Sequence, residues 1–275
     1  MLLTDPIPYR EALDSRAIRS LLPTTGRTAD FARVETAIKQ RAMFSATVTS
    51  VELLQKYDDV IEGMLAGKLD QATARLAVKD LLAEMGYVAD PNHAGGLQDL
   101  ASTRRIDTTL STNVDIARGY GWREQGMTAD VLDEFPAQEL FRAFGPRDAS
   151  AQRDWAARWA AAGGVFHGGR MIALKTDSVW RQLGNPALFP DGLGNDFPPF
   201  AFNSGMDVRD IDRAEAIALG LLAEGDVLTP EPIDLNAELA ATPEVRSAWL
   251  REALTDSGVG RYDRDGVFRF APISA

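Results

Sequence analysis

Pro198 and Pro199 constrain this chain more than any other pair of neighbours. Each proline holds φ at about −65° and lacks a backbone donor, so neither sits inside a helix or a central strand. They lie in FPPFAFNSGM, residues 197–206, flanked by Phe197, Phe200 and Phe202. Asn203-Ser204-Gly205 then reads as a turn. The pattern predicts an extended aromatic segment, packed against something and closed by a tight turn. A helix is expected to start at Asp207 and run through Ile211, Ala214, Ile217 and Leu221. The segment holds no nucleophile–base pair and no metal set.

The chain has 275 residues, 45% of them apolar, enough for one large domain or two smaller ones with real cores. No apolar run approaches the ~18 residues of a spanning helix, and MLLTDPIPYREAL lacks the basic and then apolar order of a signal peptide, so no membrane partner is expected. The sequence has no cysteine, which excludes disulfides, thiolate metal sites and a thiol nucleophile and fits an intracellular origin. The net charge is −11, and residues 207–275 carry seven Arg against fourteen Asp and Glu. That balance disfavours broad nucleic-acid binding but leaves room for a local basic patch.

Residues 1–27 read as a proline-broken N-terminal arm, with room for a short helix between Arg10 and Leu22. Residues 28–96 read as a helical unit. Phe31, Val34 and Ile38 predict a first helix over 28–42. Thr49-Ser50-Val51-Glu52 reads as a capping box, followed by a stripe of Leu54, Tyr57, Ile61, Met64 and Leu65. A third helix is expected from Asp70 through Leu76, Leu81 and Met85. Residues 87–96 read as a linker containing His93.

A long helix is expected over 97–127, with Ile106, Leu110, Val114, Ala117 and Gly121 on its apolar face. Thr112, Asn113 and Tyr120 lie on or beside that face. Asn113 must find partners there. Arg104, Arg105, Arg118 and Arg123 form a basic flank and are candidate nucleic-acid contacts. Residues 128–134 suit a turn or two of helix, and 135–144 a strand or a helix opened by Pro136. Trp155 and Trp159 share one face of a helix over 153–162. GGVFHGGR, with His167, reads as a flexible loop, since it lacks P-loop spacing. RMIALK suits a short strand, and Asp177 caps a brief helix with Val179, Trp180 and Leu183. In the acidic tail, residues 225–275, Thr242-Pro243 opens a helix with Val245, Trp249, Leu250 and Leu254. A β-hairpin then turns near Asp265-Gly266.

With two histidines and no cysteine, most metal sites and catalytic triads are unavailable, and HExxH and GxGxxG are absent. Asp207, Asp210 and Asp212 are read as helix-start acids rather than a Mg²⁺ site. No catalytic residue, metal or cofactor is expected. The fold class is mainly α within α+β: a helical N-terminal unit, a helix-rich central domain with short strands over 97–224, and a C-terminal helix and hairpin.

Two stretches carry a family resemblance. The first is RRIDTTLSTNVDIARGYGWREQGM, residues 104–127. The second runs over 153–206, from RDWAARWAAAGG through GGRMIALKTDSVWRQL to FPPFAFNSGM. Their order and spacing resemble the phage Mu F-like head morphogenesis domain of minor head proteins. Thr112-Asn113, Ala117 and Gly119 match its first element, and Trp180, Pro198-Pro199 and Phe202-Asn203 its second, as a structural motif, and the pattern implies that Asn113 hydrogen-bonds the backbone of residues 195–206. The chain departs from the family at Ser204-Gly205-Met206, where many members have a Cys-Arg-Cys type ending, so no metal or cysteine role carries over. The resemblance implies a low-copy virion component near the portal vertex, found in host cytoplasm during assembly. Its implied partners are portal or other capsid and neck proteins, with packaged DNA as a further candidate. An alternative reading is a nuclease or ADP-ribosyltransferase-like effector enzyme.

Overall fold

The computed structural model describes residues 9–17, 19–25, 42–145, 153–202, 204–231, 240–241, 248–258 and 260–271. Residues 28–41 of the helix expected over 28–42, the Thr242-Pro243 cap, Val245 and Asn203 lie outside them. The described residues form a mainly helical α+β fold with short strands. The chain divides into two compact units, residues 1–118 with 235–275, and residues 119–234. No helix among the described residues is long and apolar enough to cross a membrane.

In the first unit, α1 (Arg10–Ala17) is followed by β1 (Ser20–Leu21), which pairs in parallel with β2 (Ala42–Met43). Ala12 and Leu22 are fully buried, so this part of the N-terminal segment packs into the unit. Helix α2 (Val51–Leu65) is capped by Ser50, whose Oγ accepts from the Leu53 amide at 3.1 Å. The cap therefore falls one residue later than the expected capping box, because the first helical residue is Val51. Helix α3 (Gln71–Glu84) begins one residue after the expected start, because Asp70 is its cap and accepts from Thr73 N at 2.9 Å.

The stripe on α2 is buried as its spacing requires: Leu54, Tyr57, Ile61 and Leu65. On α3 the buried residues are Ala74, Val78, Leu81 and Leu82, whereas Leu76, expected on the stripe, is 58% exposed. Residue 76 is rotated away from the face that 74, 78 and 81 define. The long helix α4 (Thr103–Gly126) contributes Ile106, Leu110, Val114 and Ala117 to the same core.

The second unit holds α5 (Ala129–Glu134), β3 (Ala137–Arg142), α6 (Trp155–Ala161), β4 (Phe166–His167), β5 (Arg170–Leu174), α7 (Val179–Gly184), β6 (Met206–Ile211) and α8 (Arg213–Ala218). Its sheet has the order β4-β5-β3-β6, antiparallel throughout. Two expectations are corrected here. GGVFHGGR is a hairpin: Phe166–His167 pair with Met171–Arg170, and Gly168 and Gly169 make the turn at φ 60° and 80°. Two successive positive φ values suit a turn matched to strand twist, which Gly-Gly supplies without strain. The expected helix from Asp207 is instead β6 up to Ile211, and helix begins only after Asp212, whose Oδ1 accepts from Glu215 N at 2.8 Å. Pairing of residues 206–211 with β3 outweighs the local helical pattern.

Alternation along these strands separates two apolar faces. Met171, Ala173, Leu140, Met206 and Val208 face a cluster containing Trp155, Trp159, Trp180 and Phe200. Ile172, Leu174, Ala137 and Ile211 face Ala216 and Leu222. In the remaining described residues, assigned to the first unit, β7 (Ala240–Ala241) pairs with β9 (Phe268–Phe270), which pairs with β8 (Gly260–Tyr262) after α9 (Ala248–Asp256). The hairpin turns where expected, with Asp263 Oδ1 accepting from Asp265 N and Val267 N.

Candidate functional site

The Pro-Pro segment packs against the last two turns of α4. Gly119 is the reason it can: a Cβ there would overlap the carbonyl oxygen of Pro198 and come within 2.8 Å of the Phe197 ring. The missing side chain lets helix and loop backbones meet. One residue on, Tyr120 meets Phe197 edge to face at 6.1 Å. The Pro198–Pro199 peptide bond is cis. Asn195 Nδ2 donates to Pro199 O at 3.2 Å, and Leu193 N donates to Phe200 O at 3.0 Å. The segment is thus extended, aromatic and packed, as the prolines require. Phe197 and Phe200 are buried, whereas Phe202 is 44% exposed.

Trp180 is the centre of the aromatic cluster. It stacks on Phe200 at 6.3 Å, meets Trp159 at 5.3 Å, and donates from Nε1 to Leu174 O at 2.7 Å. Trp159 Nε1 donates to Val165 O at 2.9 Å. These two indole donors are satisfied, whereas the buried Nε1 of Trp155 has no aligned acceptor among the described residues. Arg158 is buried between the Trp155 and Phe189 rings, 4.8 and 4.1 Å from their centroids, and donates to Leu183 O and to Asp191. Burial alone would raise the Asp191 carboxyl; the Arg158 hydrogen bond and the charges of Arg158 and Arg153 outweigh it and hold it below its usual value.

A cavity of about 520 Å³ opens beside this segment, within the second unit. Trp122, Met127, Phe135, Phe197 and Val208 give it apolar walls. Its polar groups are Arg123, Gln125, Gln138, Lys175, Asp196 and Asp210. Arg123 is matched by Asp196 at 3.1 Å. Lys175 is buried, and its Nζ lies 2.8 Å from Asp210 Oδ1 but out of alignment for a hydrogen bond. No motif in the sequence marks Lys175. Its parity with Met171 and Ala173 was the one signal that it would lie on the tryptophan side of the sheet.

On the opposite face, Glu139 gathers charge. Arg170 donates to its Oε2 from Nη2 at 2.5 Å, and Arg209, its cross-strand neighbour, at 2.7 Å. Arg170 also pairs with Glu215. Burial alone would raise the Glu139 carboxyl, but the two arginines outweigh it and leave it below its usual value.

The residues singled out in the sequence fall in different places. Gly119, Trp180, Pro198 and Pro199 lie in the second unit, with Gly119 and Pro198 in direct contact. Thr112, Asn113 and Ala117 lie in the first. Ala117 is core. Asn113 does not have the expected partner: its Nδ2 donates to Thr109 O at 2.9 Å, and its Oδ1 accepts from Arg16 at 3.5 Å, both within the first unit. A bond to the preceding helical turn satisfies the amide locally.

The basic flank separates likewise. Arg105 is used inside the first unit, donating to Leu97 O, Ser45 Oγ and Ala46 O, and Arg123 is used inside the second. Arg104 and Arg118 are exposed. Asp207 and Asp210 fall on opposite faces of β6, and Asp212 caps α8. Among the described residues, no group of three or more His, Cys, Asp and Glu is arranged to hold a metal ion. No protein-family model, curated protein or solved structure matches the chain.

Proposed function

We propose that this chain is a minor head protein of a phage or prophage, present in few copies near the portal vertex. It acts by protein–protein contacts in head assembly or in DNA packaging and delivery. The observation that carries the reading is the contact of Gly119 with Pro198. Each belongs to one of the two stretches that resemble the Mu F-like domain, and the pair meets where only glycine fits. The residues of the second stretch, Trp180 above all, serve packing, which suits a scaffold that presents surfaces to neighbours. The reading rests on these residues and their spacing. Arg104 and Arg118 are the basic residues of the flank that remain exposed to meet DNA.

Mass spectrometry of purified particles from the strain that encodes the chain tests this. The protein is expected in heads, at a copy number well below that of the major capsid protein. Its absence from particles that package DNA normally would overturn the reading. His93→Ala and His167→Ala are expected to leave particle yield unchanged. Loss of yield in either variant, with folding intact, would favour the effector-enzyme reading.

A further inference from the structure

We propose that the cavity beside the Pro-Pro segment binds an apolar carboxylate, with the acid group directed at Lys175 and the apolar body against Phe135, Met127 and Val208. The inference does not depend on the proposed function. A cavity of about 520 Å³ lies in the size range of small-molecule sites, and its walls have the usual make-up of such sites, mostly apolar with a few polar groups. The polar group that sets the ligand class is Lys175. Its side chain is 3% exposed, and Nζ lies against the bare face of Gly126, where an added Cβ would be 3.5 Å away.

An ammonium carries three donors, and this one has no aligned acceptor among the described residues. Among the described residues its one counter-charge is Asp210, whose side chain is 51% exposed and therefore screened by water. The other charges of the cavity are committed elsewhere. Arg123 is held by Asp196 and Glu124, and the Arg209 guanidinium lies on the opposite face of the sheet with Glu139. A buried cation with an incomplete set of partners is costly. An anionic acceptor entering the cavity completes that set through a charge-assisted hydrogen bond. Asp210, half in water, can swing aside to admit it.

Two sources supply this chemistry, a free apolar acid and the carboxyl end of a peptide chain with apolar last residues. Isothermal titration of the full chain separates them. The probes are 4-phenylbutyrate, acetyl-Ala-Val-Phe with a free carboxylate, and the amide of each. We expect at least one acid to bind, its amide to bind at least tenfold more weakly, Lys175→Met to lose at least tenfold, and Asp210→Asn, which removes the competing charge, to gain at least threefold. Binding of phenylbutyrate alone assigns the free acid, binding of the peptide alone assigns the chain end, and binding of both supports the shared chemistry. The proposal is overturned if neither acid binds at millimolar concentration, if acid and amide bind equally, or if Asp210→Asn weakens binding. The acid–amide comparison on the unaltered chain decides the matter even where Lys175→Met fails to fold.

Discussion

The two units bury their apolar residues by different means. The first builds its helical core from Leu, Ile, Val and Ala on long helices, and among the described residues its fully buried large aromatic side chains are Tyr57 on α2 and Phe268 on β9. The second builds its core from Trp155, Trp159, Trp180 and Phe200, held on short helices and a loop over one face of a sheet. In the first, each helix brings its own stripe, and the stripe repeats every three to four residues. In the second, no element buries itself. Residue 180 is core because residues 159, 174 and 200 come to it from elsewhere in the chain. Local periodicity is therefore a good guide to one unit and a poor guide to the other.

The largest test of this contrast is Trp180→Ala. Removing a side chain 2% exposed, with two aromatic neighbours and a satisfied indole, should cost about 3–5 kcal/mol. Chemical denaturation with separate probes for the two units would read it. A loss well below that range would mean that the cluster is not what holds the second unit.

Gly119→Ala comes next. The new Cβ overlaps the Pro198 carbonyl, and the backbone must give way, at about 1–3 kcal/mol. Equal stability of variant and parent, by midpoint of urea unfolding, would show that helix and loop do not meet as described.

Glu139 gives a pH signature. Its carboxyl is held below the ordinary value of 4.5, so its contribution is fully present above that value. The contribution is lost as pH falls from there through the lower folded value. Glu139→Gln should cost about 1–3 kcal/mol near neutrality and flatten the loss of stability between pH 5 and 3, the window that brackets the ordinary value. An acid-unfolding curve that keeps its full slope in Glu139→Gln would exclude this carboxylate as a source of the dependence.

The smallest effect is expected at Leu76→Ala, since that side chain is exposed. Stability should change by no more than about 0.5 kcal/mol. A thermal-unfolding shift as large as that of a core truncation would put Leu76 back on the buried stripe that its spacing suggested.

Much of this molecule follows from its sequence alone. The stripe of α2, the start of α3 near Asp70, the register of apolar residues on α4, the C-terminal hairpin and the extended Pro-Pro segment all arise from interactions a few residues apart. The residues at those positions state them directly. The sequence also singled out Gly119, Trp180 and Pro198, though as separate marks. Tertiary structure decided the rest. It turned residues 206–211 from an expected helix into a strand, because six residues of β3 offered a partner. It gave Asn113 to Thr109 and Arg16, and spent Arg105 and Arg123 on internal contacts. It placed Lys175 beside a cavity with too few acceptors. Each of these outcomes depends on which distant backbone or charge arrives at a residue. Hydrogen bonding and burial are settled by that arrival, and composition and spacing do not carry it.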